Sequence, residues 1–143
     1  MSQLDDPFYA QLDDSGSQVD DPPPNEVQLY FGSVDEFVRE YLRHMYKRRI
    51  DGRNRVWAAR WWQYGEAIGR LEALWRAWEH LRMDAATGMA VWWRDHADYQ
   101  MAILLDPDGP FADAADDPES SSRRGAPLPY VAPPEGLFPD VRI

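Results

Sequence analysis

The chain has 143 residues, no cysteine and a formal net charge of −10, a length that suits one domain. The lack of cysteine excludes a disulfide scaffold, a thiol nucleophile and a zinc site built on thiolates. No apolar run approaches the roughly 20 residues that a membrane span needs, and the N-terminus lacks a basic and apolar leader, so we expect a cytoplasmic protein with no membrane partner.

The negative charge is concentrated at the two ends of the chain. Residues 1–26 hold seven acidic side chains and no Lys or Arg, whereas residues 27–105 hold twelve basic side chains against ten acidic ones. Residues 106–143 hold eight acidic side chains and three arginines. The centre of this acidic chain is therefore slightly basic, and the net charge alone does not exclude nucleic acid as a partner.

Residues 1–26 are predicted to form a disordered acidic tail. Their Asp-Asp pairs and the run Pro22-Pro23-Pro24 leave few apolar side chains to bury. Burial there cannot offset the entropy lost on ordering, so we expect folded structure to begin at about residue 27.

A first helix is predicted over about residues 34–50. Ser33 and Glu36 have the spacing of a capping box, in which the two side chains accept hydrogen bonds from the first turn and from the cap. Basic residues near residue 50 complement the negative end of the helix dipole, and Asp51-Gly52 is expected to end the helix.

Two further helices are predicted from the tryptophans, all seven of which lie between residues 57 and 93. A seam of seven apolar residues with spacings of 4, 3, 4, 3, 4 and 3 predicts a second helix over about residues 55–82. The residues of the seam are Trp57, Trp61, Tyr64, Ile68, Leu71, Trp75 and Trp78. A third helix is predicted over about 88–105, ending before the Pro- and Gly-rich residues 106–110. The fold class is therefore all-α, either a small three-helix bundle or a helical hairpin plus a third helix, over residues 27–111.

Residues 112–143 are rich in Pro, Asp and Ser and are predicted to form a second disordered tail. Within them, residues 127–134 and 136–139 regain apolar side chains in a proline context. Two alternatives remain open for these stretches: they dock in a groove of another protein, or they wrap around their own domain.

Several aromatic and charged motifs run along residues 27–111. They are Phe37-Val38, Tyr41-Leu42, Tyr46-Lys47-Arg48, Trp61-Trp62, the residues 72–79, the residues 92–98 and Gly109-Pro110-Phe111. As a set they resemble an actinobacterial family of domains of unknown function, numbered 4913. The resemblance implies a small helical domain with variable polar tails, frequent on phages and mobile genetic elements, and it implies no biochemical activity.

The most enzyme-like feature is His96, which Asp95 and Asp98 flank in sequence. Helical geometry places His96 in the apolar stripe and both carboxylates on the opposite side, so a buried, hydrogen-bonded histidine is the expectation. His80 would lie roughly 9 Å along the helix axis from His96, too far to share a metal ion. The chain also lacks a Gly-rich phosphate loop and a nucleophile motif, so we predict no catalysis and no cofactor.

Two surfaces are candidates for contacts with other molecules. Trp62 and Trp93, the second members of the two Trp-Trp pairs, are expected to point outward and, with His96, form a candidate interface for a protein partner or a second copy. Six cations opposed only by Asp51 surround the first inter-helix turn: Lys47, Arg48, Arg49, Arg53, Arg55 and Arg60.

The basic turn has three possible roles. It could bind nucleic acid, bind an acidic protein, or only complement a helix dipole and keep the protein soluble. The favoured prediction for the whole chain is a non-enzymatic, helical protein-interaction module of a mobile element or phage. The alternative is a nucleic-acid-binding accessory factor that uses the basic turn.

Overall fold

The computed structural model describes residues 28–142, and in that range the chain forms three helices and no β-strand. We number the helices α1 (residues 34–45), α2 (Gly65–Leu81) and α3 (residues 88–104). The all-α prediction is confirmed for these residues, whereas the prediction of a disordered tail over residues 1–26 lies outside them. None of the helices in the described range is long and apolar enough to cross a bilayer.

Two of the helices contain a π-helical turn. α1 is α-helical over Val34–Phe37, π-helical over Val38–Leu42 and α-helical over Arg43–Met45. α3 is likewise α-helical over Gly88–Val91, π-helical over Trp92–Ala97 and α-helical over Asp98–Leu104. A π turn holds more residues than an α turn, so it rotates every later side chain around the helix axis.

α1 begins as predicted and ends earlier than predicted. The Ser33 hydroxyl accepts from the Glu36 amide at 3.0 Å, while the Glu36 carboxylate accepts from the amide of Gly32 at 2.8 Å. Tyr46, at φ −113° and ψ 60°, leaves the helical region, so the predicted end near residue 50 is wrong. Beyond Tyr46 the backbone of Ile50 pairs with that of Ser122, which is incompatible with a continuing helix.

The prediction that the second helix begins near residue 55 is also wrong, because α2 begins at Gly65. Residues upstream of α2 use their polar groups on distant parts of the chain. The amide of Val56 donates to the carbonyl of Leu105 at 3.0 Å, and the indole of Trp57 donates to the carbonyl of Pro129 at 3.0 Å. The spacing of Trp57 and Trp61 on the predicted seam therefore reflects burial in irregular chain and in the short 3-10 turn Trp61–Gln63, not in one continuous α-helix.

The core lies where the three helices meet. Phe37 of α1 contacts Trp78 of α2 and Trp92 of α3, with ring centroids 5.9 and 6.4 Å apart. The indole of Trp92 donates to the carbonyl of Leu74 at 3.1 Å, which joins α3 to α2. The largest fully buried side chains are Trp57, Trp61, Trp75, Trp92, Phe37, Phe111, Leu42, Ile50, Leu71, Leu74, Met101 and Leu104.

Residues 112–142 pack against the helices, so the prediction of a disordered C-terminal tail over residues 112–143 is wrong for this part. Leu128 is fully buried, and its amide donates to the carbonyl of Arg43 at 3.0 Å. Further along, Phe138 stacks on Trp61 with ring centroids 5.4 Å apart. Of the two alternatives for the proline-rich stretches, the structure has the segment wrapped around its own domain.

Candidate functional site

A basic cleft forms where the irregular chain after α1 runs beside the C-terminal segment. The amide of Ile50 donates to the carbonyl of Ser122 at 2.9 Å, and the amide of Ser122 donates back to Ile50 at 3.1 Å. The Ser122 hydroxyl also donates to the carbonyl of Arg48 at 3.1 Å. The cleft between these segments has a volume of about 300 Å³. Its lining residues are Lys47, Arg48, Arg49, Arg55, Arg124 and Gly125.

The wall of the basic cleft that carries most of the cations is shaped by a tight turn at Asp51. The Asp51 carboxylate accepts from the amides of Arg53 and Asn54 at 2.9 and 2.8 Å. These hydrogen bonds hold the pKa of the Asp51 carboxyl below its usual range, so it stays ionised. Gly52 follows with φ +77°, and a side chain there would clash with the carbonyl of Ala115.

Carboxylates neutralise little of the charge in the cleft. Arg49 pairs with Asp51 at 3.4 Å. Arg48 and Arg55 instead donate to the main-chain carbonyls of Lys47 and Arg49, at 2.8 and 3.3 Å. Within residues 28–142, no carboxylate forms an ion pair with Lys47, Arg48, Arg55 or Arg124. Among the residues that the structure describes, the cleft is therefore a concave surface whose positive charge is mostly uncompensated.

The structure brings together four of the six predicted cations, Lys47, Arg48, Arg49 and Arg55, and does not include the other two in the cleft. Arg60 pairs with Glu119 at 2.7 Å, which raises its pKa, and Arg53 is exposed but does not line the cleft. Sequence reasoning missed Arg124, because it lies in the segment predicted to be disordered. The only local signal was the pair Arg123-Arg124 in an otherwise acidic stretch.

The aromatic rings of Tyr46 and Trp93 link the cleft to α3. The guanidinium of Arg48 lies over the ring of Tyr46 at 4.2 Å, and Tyr46 stacks on Trp93 with centroids 6.0 Å apart. The Tyr46 hydroxyl donates to Asp98 at 3.2 Å, and burial, with the Asp98 charge, raises the pKa of Tyr46. Trp93 is half-buried, with its edge against Trp92. We call Arg48, Tyr46 and Trp93 the stacked row.

His96 is half-buried and has no hydrogen-bond partner among residues 28–142, so the expectation of a buried, hydrogen-bonded histidine is wrong. It lies in the π-helical turn Trp92–Ala97, which displaces it from the position that a regular α-helix predicts. Asp95 pairs with Arg94 at 2.8 Å and Asp98 accepts from Tyr46, so both carboxylates have other partners. The described residues contain no group of three His, Asp or Glu side chains placed to hold a metal ion.

Trp62 is less available for contacts than its position in the sequence suggests. It is half-buried, and its indole donates to the carbonyl of Val131 at 2.9 Å. The C-terminal segment therefore covers one edge of the ring. The role of Trp62, Trp93 and His96 as a protein interface stays a prediction.

A second concave surface, which sequence reasoning missed, lies between α1, the end of α2 and residues 30–31. This aromatic groove has a volume of about 740 Å³ and is lined by Tyr30, Phe31, Tyr41, Trp78, Glu36, Glu40, Arg82 and Arg142. Its shape depends on Glu79, a buried carboxylate that accepts from the amides of Tyr30 and Phe31 at 2.8 and 2.9 Å. Tyr30 remains 60% exposed at the rim.

The residues described define a small all-helical domain whose C-terminal segment completes both its core and a basic cleft. The family model for "Domain of unknown function (DUF4913)" matches residues 31–134, and the chain belongs to that family. The match extends well beyond residue 111, so it includes most of the segment that packs against the helices. No curated protein and no solved structure matches the chain.

Proposed function

We propose that this domain binds nucleic acid through the basic cleft. The observation that carries the proposal is the convergence of Arg124 with Lys47, Arg48, Arg49 and Arg55 across the cleft, from segments about 70 residues apart in sequence. Phosphate contacts from Arg and Lys supply most of the affinity of non-specific nucleic-acid binding. The guanidinium fork also suits a phosphate group better than an ammonium group does.

The geometry of the cleft favours binding over simple solvation of charge. The two walls are joined by the backbone pairing of Ile50 and Ser122, so like charges are kept close, and within residues 28–142 Asp51 is the one carboxylate that forms an ion pair with a cation of the cleft. An anion that enters this cleft relieves the mutual repulsion of the cations, and little ordering of the backbone is needed on binding. None of these cations lies on α1, which ends at Met45, so they are not last-turn residues placed to complement its dipole.

Two arginines on α2 are already paired with carboxylates. On α2, Arg70 pairs with Glu66 at 2.9 Å and Arg76 pairs with Glu72 at 3.5 Å. These arginines therefore provide a matched control for charge reversal. They carry the same charge as the cleft residues, but each lies beside a carboxylate four residues earlier on the helix.

The test is a fluorescence-anisotropy titration of the full-length protein with labelled oligonucleotides at several salt concentrations. Neutralising about four phosphates predicts a slope of roughly −3 for log affinity against log salt. We expect the double variant Arg48→Glu and Arg124→Glu to lose at least about tenfold in affinity and to have a shallower slope. The control variant Arg70→Glu and Arg76→Glu should bind within about twofold of the wild type. Binding that is independent of salt, or an equal loss in both variants, would contradict the proposal.

A second proposal, that the domain binds a protein, is favoured by the aromatic groove. Its exposed Tyr30 lies beside Phe31, with ring centroids 4.7 Å apart, and large aromatic side chains are enriched at protein interfaces. Affinity capture from the native host, with and without nuclease, separates the two proposals. A stoichiometric protein that survives nuclease supports the groove, and recovery that collapses with nuclease supports the cleft.

The biological setting is likewise a proposal. We place the protein in the cytoplasm of an actinobacterium, encoded by a phage or a mobile genetic element. The motifs that resemble the family support this setting, and the genomic neighbourhood of the gene tests it.

A further inference from the structure

We infer that the ligand of the basic cleft is single-stranded nucleic acid, with its phosphates in the cleft and a base stacked on Trp93. This inference rests on the proposed function and adds the class of nucleic acid. Three features of residues 28–142 support it: the shape of the cleft, the charge of the helix faces, and the position of the stacked row.

The cleft has the size of a strand and not of a duplex. Its walls, Lys47 to Arg55 on one side and Arg124 with Gly125 on the other, enclose about 300 Å³. That volume admits a sugar-phosphate unit between the two walls. A duplex presents its phosphates on a broad convex surface, which could touch the rim of such a cleft but could not place a strand between the walls.

Within residues 28–142, α2 and α3 present no unpaired arginine to a major groove. Proteins that read duplex DNA commonly insert a helix with cationic and polar side chains that reach the bases. On α2 the exposed arginines are paired with Glu66 and Glu72, and on α3 the exposed Arg94 is paired with Asp95. The uncompensated cations of the cleft lie on irregular chain instead, which cannot enter a groove as a helix does.

The stacked row leads from the phosphate site to a partly accessible aromatic side chain, with the ring of Tyr46 between Arg48 and Trp93. Arg48 belongs to both the cleft and the row, and the rings of Tyr46 and Trp93 are nearly parallel, with an angle of 20° between them. Tyr46 is only 7% exposed, whereas Trp93 keeps part of its indole accessible. Proteins that bind single strands without sequence preference combine cations along the backbone with aromatic rings that stack on the bases.

The experiment compares four ligands of one length, about 12 nucleotides, within the usual range of site sizes for single-strand binders. They are a single-stranded DNA, the RNA of the same sequence, the DNA duplex, and an abasic strand that carries the same phosphates without bases. We expect the full-length protein to bind at least one of the two single strands at least fivefold more tightly than either the duplex or the abasic strand.

The variant Trp93→Leu tests the stacking contact, because leucine keeps an apolar side chain against Tyr46. It should lose the preference for bases, so that the natural and abasic strands bind within about twofold of each other. Tyr99→Leu is the control, since Tyr99 is a 59% exposed aromatic residue of the same helix that has no ring contact with the row. It should keep the wild-type preference.

The outcomes are distinguishable even if Trp93→Leu fails to fold, because the abasic strand removes the stacking contact from the side of the ligand. If the duplex and the abasic strand bind as tightly as the single strands, with the same salt dependence, this inference is wrong and the proposed function still stands. If none of the four ligands shows salt-dependent binding, both this inference and the proposed function are wrong. A preference for bases that survives in a folded Trp93→Leu variant would exclude Trp93 as the stacking residue.

Discussion

The tryptophans of this domain are buried in two different ways. Trp75 and Trp92 lie on α2 and α3, and their indoles donate to groups of the helical core, the carboxylate of Glu79 and the carbonyl of Leu74. Trp57 lies on irregular chain and Trp62 in the short 3-10 turn Trp61–Gln63, and their indoles donate to carbonyls at positions 129 and 131, about 70 residues away. Tryptophans at helical spacing therefore do not identify a helix when a distant segment supplies partners for their N–H groups.

The largest expected effect comes from the helical region. We expect Trp75→Ala to cost about 3 to 5 kcal/mol, enough to abolish cooperative unfolding in a domain of this size. Its side chain is fully buried, and its loss would also leave Glu79 without one of its donors. Thermal melts followed by circular dichroism measure the effect. Trp62→Ala, which removes a half-buried ring, should cost about 1 to 2 kcal/mol, and an equal loss in both variants would contradict the distinction.

A smaller effect tests whether the C-terminal segment belongs to the core. Leu128 is fully buried, so Leu128→Ala should lower the free energy of unfolding by about 2 to 4 kcal/mol. Leu137 lies in the same segment but is 47% exposed, and Leu137→Ala should cost less than about 0.5 kcal/mol. Urea denaturation compares the two. Two variants as stable as the wild type would mean that the segment does not contribute to the fold.

The smallest expected effect is a dependence of stability on high pH, also from the C-terminal segment. Burial and the hydrogen bond from its hydroxyl to Asp35 raise the pKa of Tyr130 to about 12. Because the pKa of Tyr130 is higher in the folded state, its protonated hydroxyl stabilises the fold. This stabilisation is complete below the unfolded pKa of about 10 and is lost as the pH rises through 12. We expect the wild type to lose about 1 kcal/mol more than Tyr130→Phe across this window. Parallel melts of the two proteins measure the difference, and identical pH profiles would show that Tyr130 carries no such linkage.

The parts of the fold that could be predicted from sequence depend on local interactions. The start of α1 follows from the cap at Ser33, and the end of the last helix near residue 105 follows from the helix breakers close behind it. The start of α2 at Gly65 could not be predicted in the same way. In the chain before α2, Trp57, Ala59 and Trp62 donate hydrogen bonds to the C-terminal segment, and no local pattern reports such long-range partners.

The residues of the candidate site also differ in whether the local sequence could predict them. The cations at positions 47–55 form a run that is visible in the sequence, and the structure brings four of the six predicted residues together in the cleft. Arg124 becomes part of the cleft only because Ile50 pairs with Ser122 across the fold. The carboxylate of Glu79 was missed for a different reason, since a glutamate at a helix end is usually solvated and its burial depends on Tyr30 and Phe31 packing over it.

The most direct test of the account is the contribution of Arg124 to nucleic-acid affinity, because it requires both the packed C-terminal segment and a functional basic cleft. The measurement compares Arg124→Glu with Arg123→Glu in the full-length protein, against a labelled single strand at about 0.15 M salt, where charges more than roughly 8 Å apart are largely screened. Both arginines are exposed and adjacent, but only Arg124 lines the cleft. The account predicts a loss of about tenfold for Arg124→Glu and less than about threefold for Arg123→Glu. Equal losses, or no loss in either variant, would contradict it.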